Sequence, residues 1–309
     1  MVGGLWVDAG LVVVGAVGLW LGAVQFVGGA TRVARVLGVP NLVVGLTVVA
    51  FGTSAPEFAV TVDAALTGKA DISVGNVVGS NVVNLGFILG GTALVRQLPV
   101  STDLVRRDSA AMVGSVVLLL AVLADGTVSR LEAGVLFALL LAYLAVVARS
   151  GNDRFRPDAD ERGFRRADAV RLVAGVAVIG LAAHALVTGA AGGASRLGVS
   201  EWVIGVTVVA LGTSAPEFAA SLAAVSQGRT NLAAGNVVGS CLFNVLGVLG
   251  LAGLLRPLAV AGPAVEATVW LLGIAVVATG LLWTRQLLSR AEGAVLVVLN
   301  AVNWAFDLL

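Results

Sequence analysis

The chain has 309 residues, of which 58% are hydrophobic and 12% are charged, and its net charge at pH 7 is +1. A soluble domain of this size is about one quarter charged, so the composition is that of a polytopic membrane protein. Near-neutrality leaves no electrostatic footprint for nucleic acid, and a single cysteine, Cys241, excludes a disulfide framework or a cysteine–metal site.

Apolar runs of about 17–25 residues are needed to cross roughly 30 Å of hydrocarbon as a helix. Such runs fall at residues 10–31, 42–66, 72–95, 108–124, 130–148, 169–190, 201–226, 232–255, 265–284 and 291–308. The first has no basic segment ahead of it and no small-residue cleavage site, so it reads as a retained span rather than a signal peptide. With no water in the bilayer to satisfy the backbone, these runs must be helices; they are too long and uniform for barrel strands. The expected fold is therefore an all-α polytopic membrane protein with ten transmembrane helices. Assigning the loops alternately to two sides puts fifteen of the nineteen basic residues on one side, leaving Lys69, Arg130, Arg196 and Arg256 on the other. The positive-inside rule makes the richer side cytoplasmic, with both termini outside and the charged segment 149–168 a cytoplasmic linker in a cell-membrane protein.

Residues 42–95 and 202–255 align without a gap at an offset of 160: "TVVAFGTSAPEFA" faces "TVVALGTSAPEFA", and "GNVVGS" is identical in both. The chain is thus a duplication. Its halves, 1–148 and 169–309, hold five spans each, an odd number, so the second enters the membrane inverted. Inverted five-span repeats joined by a linker are the architecture of a secondary transporter whose site lies at the midplane between the halves.

Each "GTSAPE" places a glutamate inside a span, where an unpaired charge costs roughly 2.5–3.5 kcal/mol or more. Pro56 lacks an N–H and clashes with the carbonyl of Gly52, so backbone carbonyls near Ala50–Thr53 are freed at a kink. Thr53 and Glu57 share one helix face with Ser54 beside them, and Thr213, Ser214 and Glu217 repeat the arrangement. In the third and eighth spans, Asn76, Ser80 and Asn84, and then Asn236, Ser240 and Asn244, form polar stripes at i, i+4, i+8. All of these are hard oxygen donors, which point to Ca²⁺, Mg²⁺ or Na⁺ rather than zinc or copper. A dehydrated protein cage favours Ca²⁺ over the strongly hydrated Mg²⁺, and two glutamates neutralise one Ca²⁺.

The paired "GTSAPEF" and "GNVVGSN"/"GNVVGSC" blocks on five-span halves resemble the two α-repeats of the calcium/cation antiporter superfamily, which includes the sodium/calcium exchangers. The resemblance covers essentially the whole chain. It implies a cation site formed by Thr53, Ser54, Glu57, Ser80, Asn84, Thr213, Ser214, Glu217, Ser240 and Asn244, with the carbonyls of Ala50 and Ala210 as backbone ligands. It further implies antiport of Ca²⁺ against Na⁺ or H⁺, no cofactor, and sliding of spans 1 and 6 against a fixed core. Exchangers of the three-sodium type usually carry an aspartate where this chain has Asn244. With only two carboxylates, three Na⁺ would leave surplus positive charge in low dielectric, so exchange closer to electroneutral is expected, with Na⁺ or protons as counter-ions.

Plainer roles stand beside these. Gly75-x-x-x-Gly79 and Gly235-x-x-x-Gly239 are small-residue helix-packing motifs. Asn76 and Asn236 fit helix capping as well as ion binding. Asp63, whose repeat partner is Ala223, reads as a vestibule residue or an attractor for cations, and His184 stands alone in the sixth span with no acidic neighbour. Cys241 replaces Asn81 of the first repeat as packing. The linker is solvated or headgroup-facing, and too short for a calcium-sensing domain. The expected partners are the transported cations and the lipid bilayer, with no obligate protein partner. A channel would also want oxygen ligands, but broken helices in an inverted repeat suit alternating access better. An intramembrane hydrolase fails because two symmetric serines would share one histidine, and there is no Gly-x-Ser-x-Gly elbow.

Overall fold

The computed structural model describes residues 2–36, 53–149, 166–226, 228 and 230–307. Nearly everything in it is helix, as a chain without aqueous backbone partners requires. Helix α1 (Val2–Val36) lies along α7 (Arg166–Leu197). The two approach closely because glycines face them: a Cβ on Gly15 would come within 2.7 Å of the Leu186 amide, and one on Gly189 within 2.6 Å of the Asp8 carbonyl. Arg196 Nε donates to Asp8 Oδ2 at 2.6 Å across the same interface.

The second expected span appears from Thr53 onward, with α2 (Ala55–Leu66) following a break at Ser54. Its first half lies outside the described residues. The third is α3 (Ala70–Val83), a π-helical turn (Asn84–Leu89) and α4 (Gly90–Val95) in one line. The fourth and fifth are α5 (Ser109–Val122) and α6 (Arg130–Arg149). In the second half α8 (Glu201–Ile204), a π-helical turn (Gly205–Val209), α9 (Ala210–Thr213) and α10 (Ala215–Ser226) make a bent span. Next come α11 (Thr230–Leu242), a π-helical turn (Phe243–Leu249) and α12 (Gly250–Leu255), followed by α13 (Pro263–Arg285) and α14 (Arg290–Asp307).

By length and apolarity, seven of the described helices can cross a membrane, or eight if the two arms that meet at Ser214 with a 42° bend are one span. This falls short of the ten expected from the sequence. Span 42–66 starts outside the described residues, and α14 has only 18 residues and carries Arg290, Glu292 and Asp307. The spans 70–95 and 230–255 are the most enclosed, and the others surround them. Large apolar side chains such as Leu131, Leu181 and Val173 cover the outside, which is the surface a bilayer would wet.

The halves are tied by contacts that occur twice with the roles exchanged. Strand β1 (Leu98–Pro99) pairs antiparallel with β4 (Leu287–Leu288), and β2 (Thr127–Val128) pairs with β3 (Leu258–Ala259). At the offset of 160, β1 corresponds to β3 and β2 to β4. Asp71 Oδ1 accepts from the Ala261 amide at 2.8 Å, and its counterpart Asn231 Oδ1 accepts from the Ser101 amide at 2.9 Å. Gly68 and Gly228 turn the chain at positive φ, 85° and 75°. The guanidinium of Arg256 lies over the first and that of Arg96 over the second. Each braces the end of a site-bearing helix from the opposite half; Arg256 Nη1 also donates to the Leu66 carbonyl at 2.7 Å.

Candidate cation site

The two "TSAPE" segments fold alike. Ser54 (φ −85°, ψ 8°) and Ser214 (φ −81°, ψ 4°) leave the helical range, and a new helix starts with Ala55-Pro56-Glu57 or Ala215-Pro216-Glu217. Proline in the first turn needs no N–H partner, so it starts the second arm at little cost. Each glutamate therefore sits in the first turn of a helix whose N-terminus points at the break, where the helix dipole favours a negative group.

Glu57 and Glu217 are both completely buried, as are Ser54, Ser80, Asn84, Thr213, Ser240 and Asn244, with Thr53 and Ser214 nearly so. The serines cross between the halves. Ser54 Oγ donates to Glu217 Oε1 at 2.9 Å, and Ser214 Oγ donates to Glu57 Oε1 at 3.0 Å. Ser54 also reaches Ser240 Oγ at 3.3 Å, while Ser80 and Thr213 share a hydrogen bond of 3.2 Å. Ser54 and Ser214 are adjacent to Thr53 and Thr213 at the two breaks, so the two carboxylates are drawn into one buried region from opposite sides. Among the described residues neither glutamate forms an ion pair, and Oε2 of each has no hydrogen-bond partner. Asn84 leaves both amide atoms, and Asn244 its Oδ1, without a partner among the described residues. Buried carboxylate oxygens without a donor are costly and call for a cation.

Of the backbone ligands implied by the resemblance, Ala50 lies outside the described residues. The Ala210 carbonyl accepts from the Ser214 amide at 3.1 Å and from Thr213 Oγ1 at 3.2 Å, so it is engaged within its own segment.

Other side chains were only partly legible. Asn76, equally suited to capping or binding by its position, holds the site from behind. Its Oδ1 accepts from Thr213 Oγ1 at 3.0 Å, and its Nδ2 donates to Thr61 Oγ1 at 2.9 Å. Its counterpart Asn236 donates to Ser221 Oγ at 3.1 Å. Thr61 and Ser221 occupy matching positions one turn past each glutamate, and that match in the repeat is the signal that could have found them. Asn81 donates to the Cys241 carbonyl at 3.1 Å and accepts from Asn244 Nδ2 at 3.1 Å, so the pair that breaks the repeat meets across the halves. His184 is not without an acidic neighbour as expected: its Nδ1 lies 3.3 Å from Asp63 Oδ1.

Among the described residues, the first glycine motif packs tightly. A Cβ on Gly79 would lie 2.5 Å from the Val206 carbonyl and one on Gly75 3.4 Å from Gly205 Cα, whereas Gly239 has no described neighbour within 4 Å. The π-helical turns sit where the stripes end, Asn84 opening one and Asn244 within another. Such turns disrupt the regular backbone ladder and often lie at functional sites. No spacing in the sequence predicts them.

Chemically, the region offers two carboxylates, five hydroxyls that reach them or each other, and amide oxygens from both halves. No described group of three or more His, Cys, Asp or Glu is present, so the donor set is oxygen with two formal charges. That matches a hard mono- or divalent cation bound in flexible geometry.

The model of the sodium/calcium exchanger protein family matches residues 7–149 and 168–308. The sodium/calcium exchanger MaX1 of Methanosarcina acetivorans is 33% identical over 332 residues, covering 93% of this chain and 95% of that protein. The inner membrane protein YrbG of Escherichia coli is 34% identical over 258 residues, 80% of this chain and 79% of its own. A solved structure of the sodium-calcium exchanger NCX_Mj, soaked with Na⁺ and Sr²⁺, superposes with a TM-score of 0.70 at 28% identity, covering 97% of this chain and 98% of that one.

Proposed function

The chain belongs to the sodium/calcium exchanger family, a family of membrane cation antiporters, and from this premise we propose that it exchanges Ca²⁺ for Na⁺ at one shared site between its halves. The ion is held by Glu57 and Glu217, with Thr53, Ser54, Thr213, Ser214, Ser80, Ser240, Asn84 and Asn244 and backbone oxygens at the two breaks completing the shell. The observation that carries this is the reciprocal pair Ser54–Glu217 and Ser214–Glu57, which leaves one oxygen of each buried carboxylate without a partner among the described residues. A dication supplies the missing charge, and so do two monovalent ions in turn. Because ion and counter-ion compete for the same oxygens, binding of one displaces the other, which is the condition for antiport.

The halves 1–148 and 169–309 are proposed as inverted five-span repeats in a ten-span chain, with both termini outside and residues 149–168 cytoplasmic. Alternating access follows if α1 and α7, which pack mainly on each other, slide as a pair across the enclosed spans. With two carboxylates and the amides Asn84 and Asn244, the charge balance favours two monovalent ions per Ca²⁺.

The same count supports a second reading, in which the two carboxyl groups carry protons on the return step. The test is Ca²⁺ uptake into proteoliposomes under an imposed Na⁺ gradient and, separately, an imposed pH gradient. Uptake driven by Na⁺ at constant pH supports the first reading, and uptake driven only by pH supports the second. Uptake that needs neither, and proceeds down the Ca²⁺ gradient alone, identifies a channel and rejects both.

A further inference from the structure

His184 and Asp63 form the one described ion-pairing contact between α7 and α2, the helix that carries Glu57. His184 Nδ1 lies 3.3 Å from Asp63 Oδ1 and 3.4 Å from Oδ2, so the ring faces both carboxylate oxygens. The side chains are 63% and 25% exposed, and Asp63 stands one turn from the end of α2, where Thr67 Oγ1 donates to the Asp63 carbonyl at 2.7 Å. The pair therefore lies toward the end of a span, apart from the buried site.

Described charges on the elements packed against α7 and α2 have other partners. Asp8 is held by Arg196 and Glu201 by Lys69; Asp71 accepts from the Ala261 amide, Arg256 donates to the Leu66 carbonyl, and Glu57 accepts from Ser214. On α7 itself Asp168 and Arg171 lie at least 13 residues away, about 20 Å along a helix. Protonation of His184 is thus felt chiefly by Asp63.

The contact also has no twin. The offset of 160 continues through α1 and α7, where Gly15 matches Gly175, Gly29 matches Gly189 and Leu37-Gly38-Val39 matches Leu197-Gly198-Val199. At that offset His184 corresponds to Val24 and Asp63 to Ala223, an apolar pair that cannot bind a proton. In a duplicated transporter, contacts that exist in both halves stabilise the two access states alike, whereas a contact made in one half only biases the balance between them.

We propose that His184 and Asp63 form a proton-binding site, separate from the cation site, that holds α7 against α2 and slows exchange when protonated. The proposal rests on the alternating-access reading above. Histidine gains its proton between about pH 8 and 5, and the resulting imidazolium–carboxylate attraction strengthens the contact as pH falls. A partly exposed pair of this kind changes an equilibrium by about twofold to fivefold.

The experiment measures Na⁺-driven Ca²⁺ uptake in proteoliposomes at equal internal and external pH, stepped from 8 to 5.5, for the full-length protein and for His184→Gln, His184→Asn and Asp63→Asn. In the unmodified protein the rate falls with acidification in a step that all three variants lose, by about twofold to fivefold; any pH dependence of the transport carboxylates remains in every variant. Superimposable profiles for the unmodified protein and the two histidine variants overturn the proposal, as does loss of the step in the histidine variants but not in Asp63→Asn. If one variant does not fold, the remaining two decide the matter by the same criterion. Absence of Na⁺-driven uptake in the unmodified protein instead overturns the exchange reading, a different outcome.

Discussion

The surroundings of Glu57 and Glu217 are the two regions to set side by side. Where the sequence repeats, the geometry repeats: each carboxylate takes a serine hydroxyl from the opposite half, at 3.0 and 2.9 Å. Where it does not, the surroundings diverge. Asn81 faces Cys241, and Asp63 meets His184 where the mirrored positions are Ala223 and Val24. On the proposed reading the repeated contacts are those that hold the ion, which is bound from either side. Of the unrepeated ones, the Asp63–His184 pair lies apart from those carboxylates, where on the same reading a bias between the two access states can be built without changing the ligands.

The strongest way to break the comparison is to neutralise one carboxylate. Glu57→Gln or Glu217→Gln is expected to lower Ca²⁺ exchange by about a hundredfold or more, since removing one charge from a buried charged assembly costs roughly 3–5 kcal/mol. Gel filtration in detergent checks that the variant is folded, and retained transport in either removes that residue from the site. Losing one serine should do less but do it symmetrically. Ser54→Ala and Ser214→Ala each remove one hydrogen bond to a carboxylate, worth about 1.5–3 kcal/mol, so each should weaken Ca²⁺ binding roughly tenfold to a hundredfold by isothermal titration. A large difference between the two would show that the halves do not contribute equally.

Gly79→Ala tests the close packing of spans 3 and 7. It places a methyl 2.5 Å from the Val206 carbonyl and should destabilise by about 1–3 kcal/mol. An unchanged melting temperature would contradict the close approach of spans 3 and 7. The smallest effect on rate and the sharpest on mechanism is expected from Asn244→Asp. A third carboxylate accommodates one more monovalent ion, so exchange should become more voltage-dependent; an unchanged reversal potential would argue against setting stoichiometry by charge count.

Much of the site could be read in the chain itself. The kink at Ser54 and Ser214 follows from proline two residues on, and the stripes Asn76–Ser80–Asn84 and Asn236–Ser240–Asn244 follow from helical spacing. Other features were not legible. The π-helical turns at Asn84–Leu89 and Phe243–Leu249 are adjustments of the ladder to neighbouring helices, with no local composition that marks them. The engagement of the Ala210 carbonyl by the Ser214 amide and Thr213 Oγ1 depends on where the break falls and on the rotamer of Thr213. Helix α14 reads as a tenth span by hydropathy but is short and carries charge at both ends, which leaves its role to its packing against α4.

By itself the sequence determined that the chain lives in a membrane, that it is a duplication at a fixed offset, and that each copy breaks a helix beside a glutamate. Those properties reside in composition, repetition and proline stereochemistry, all of which act over a few residues. Only the tertiary structure decided that each serine serves the other half's carboxylate, across 163 and 157 residues, and that His184 meets Asp63 across 121. Contacts at such separations are selected by how whole helices pack, and the spacing of residues along one helix carries no information about which neighbour will face it.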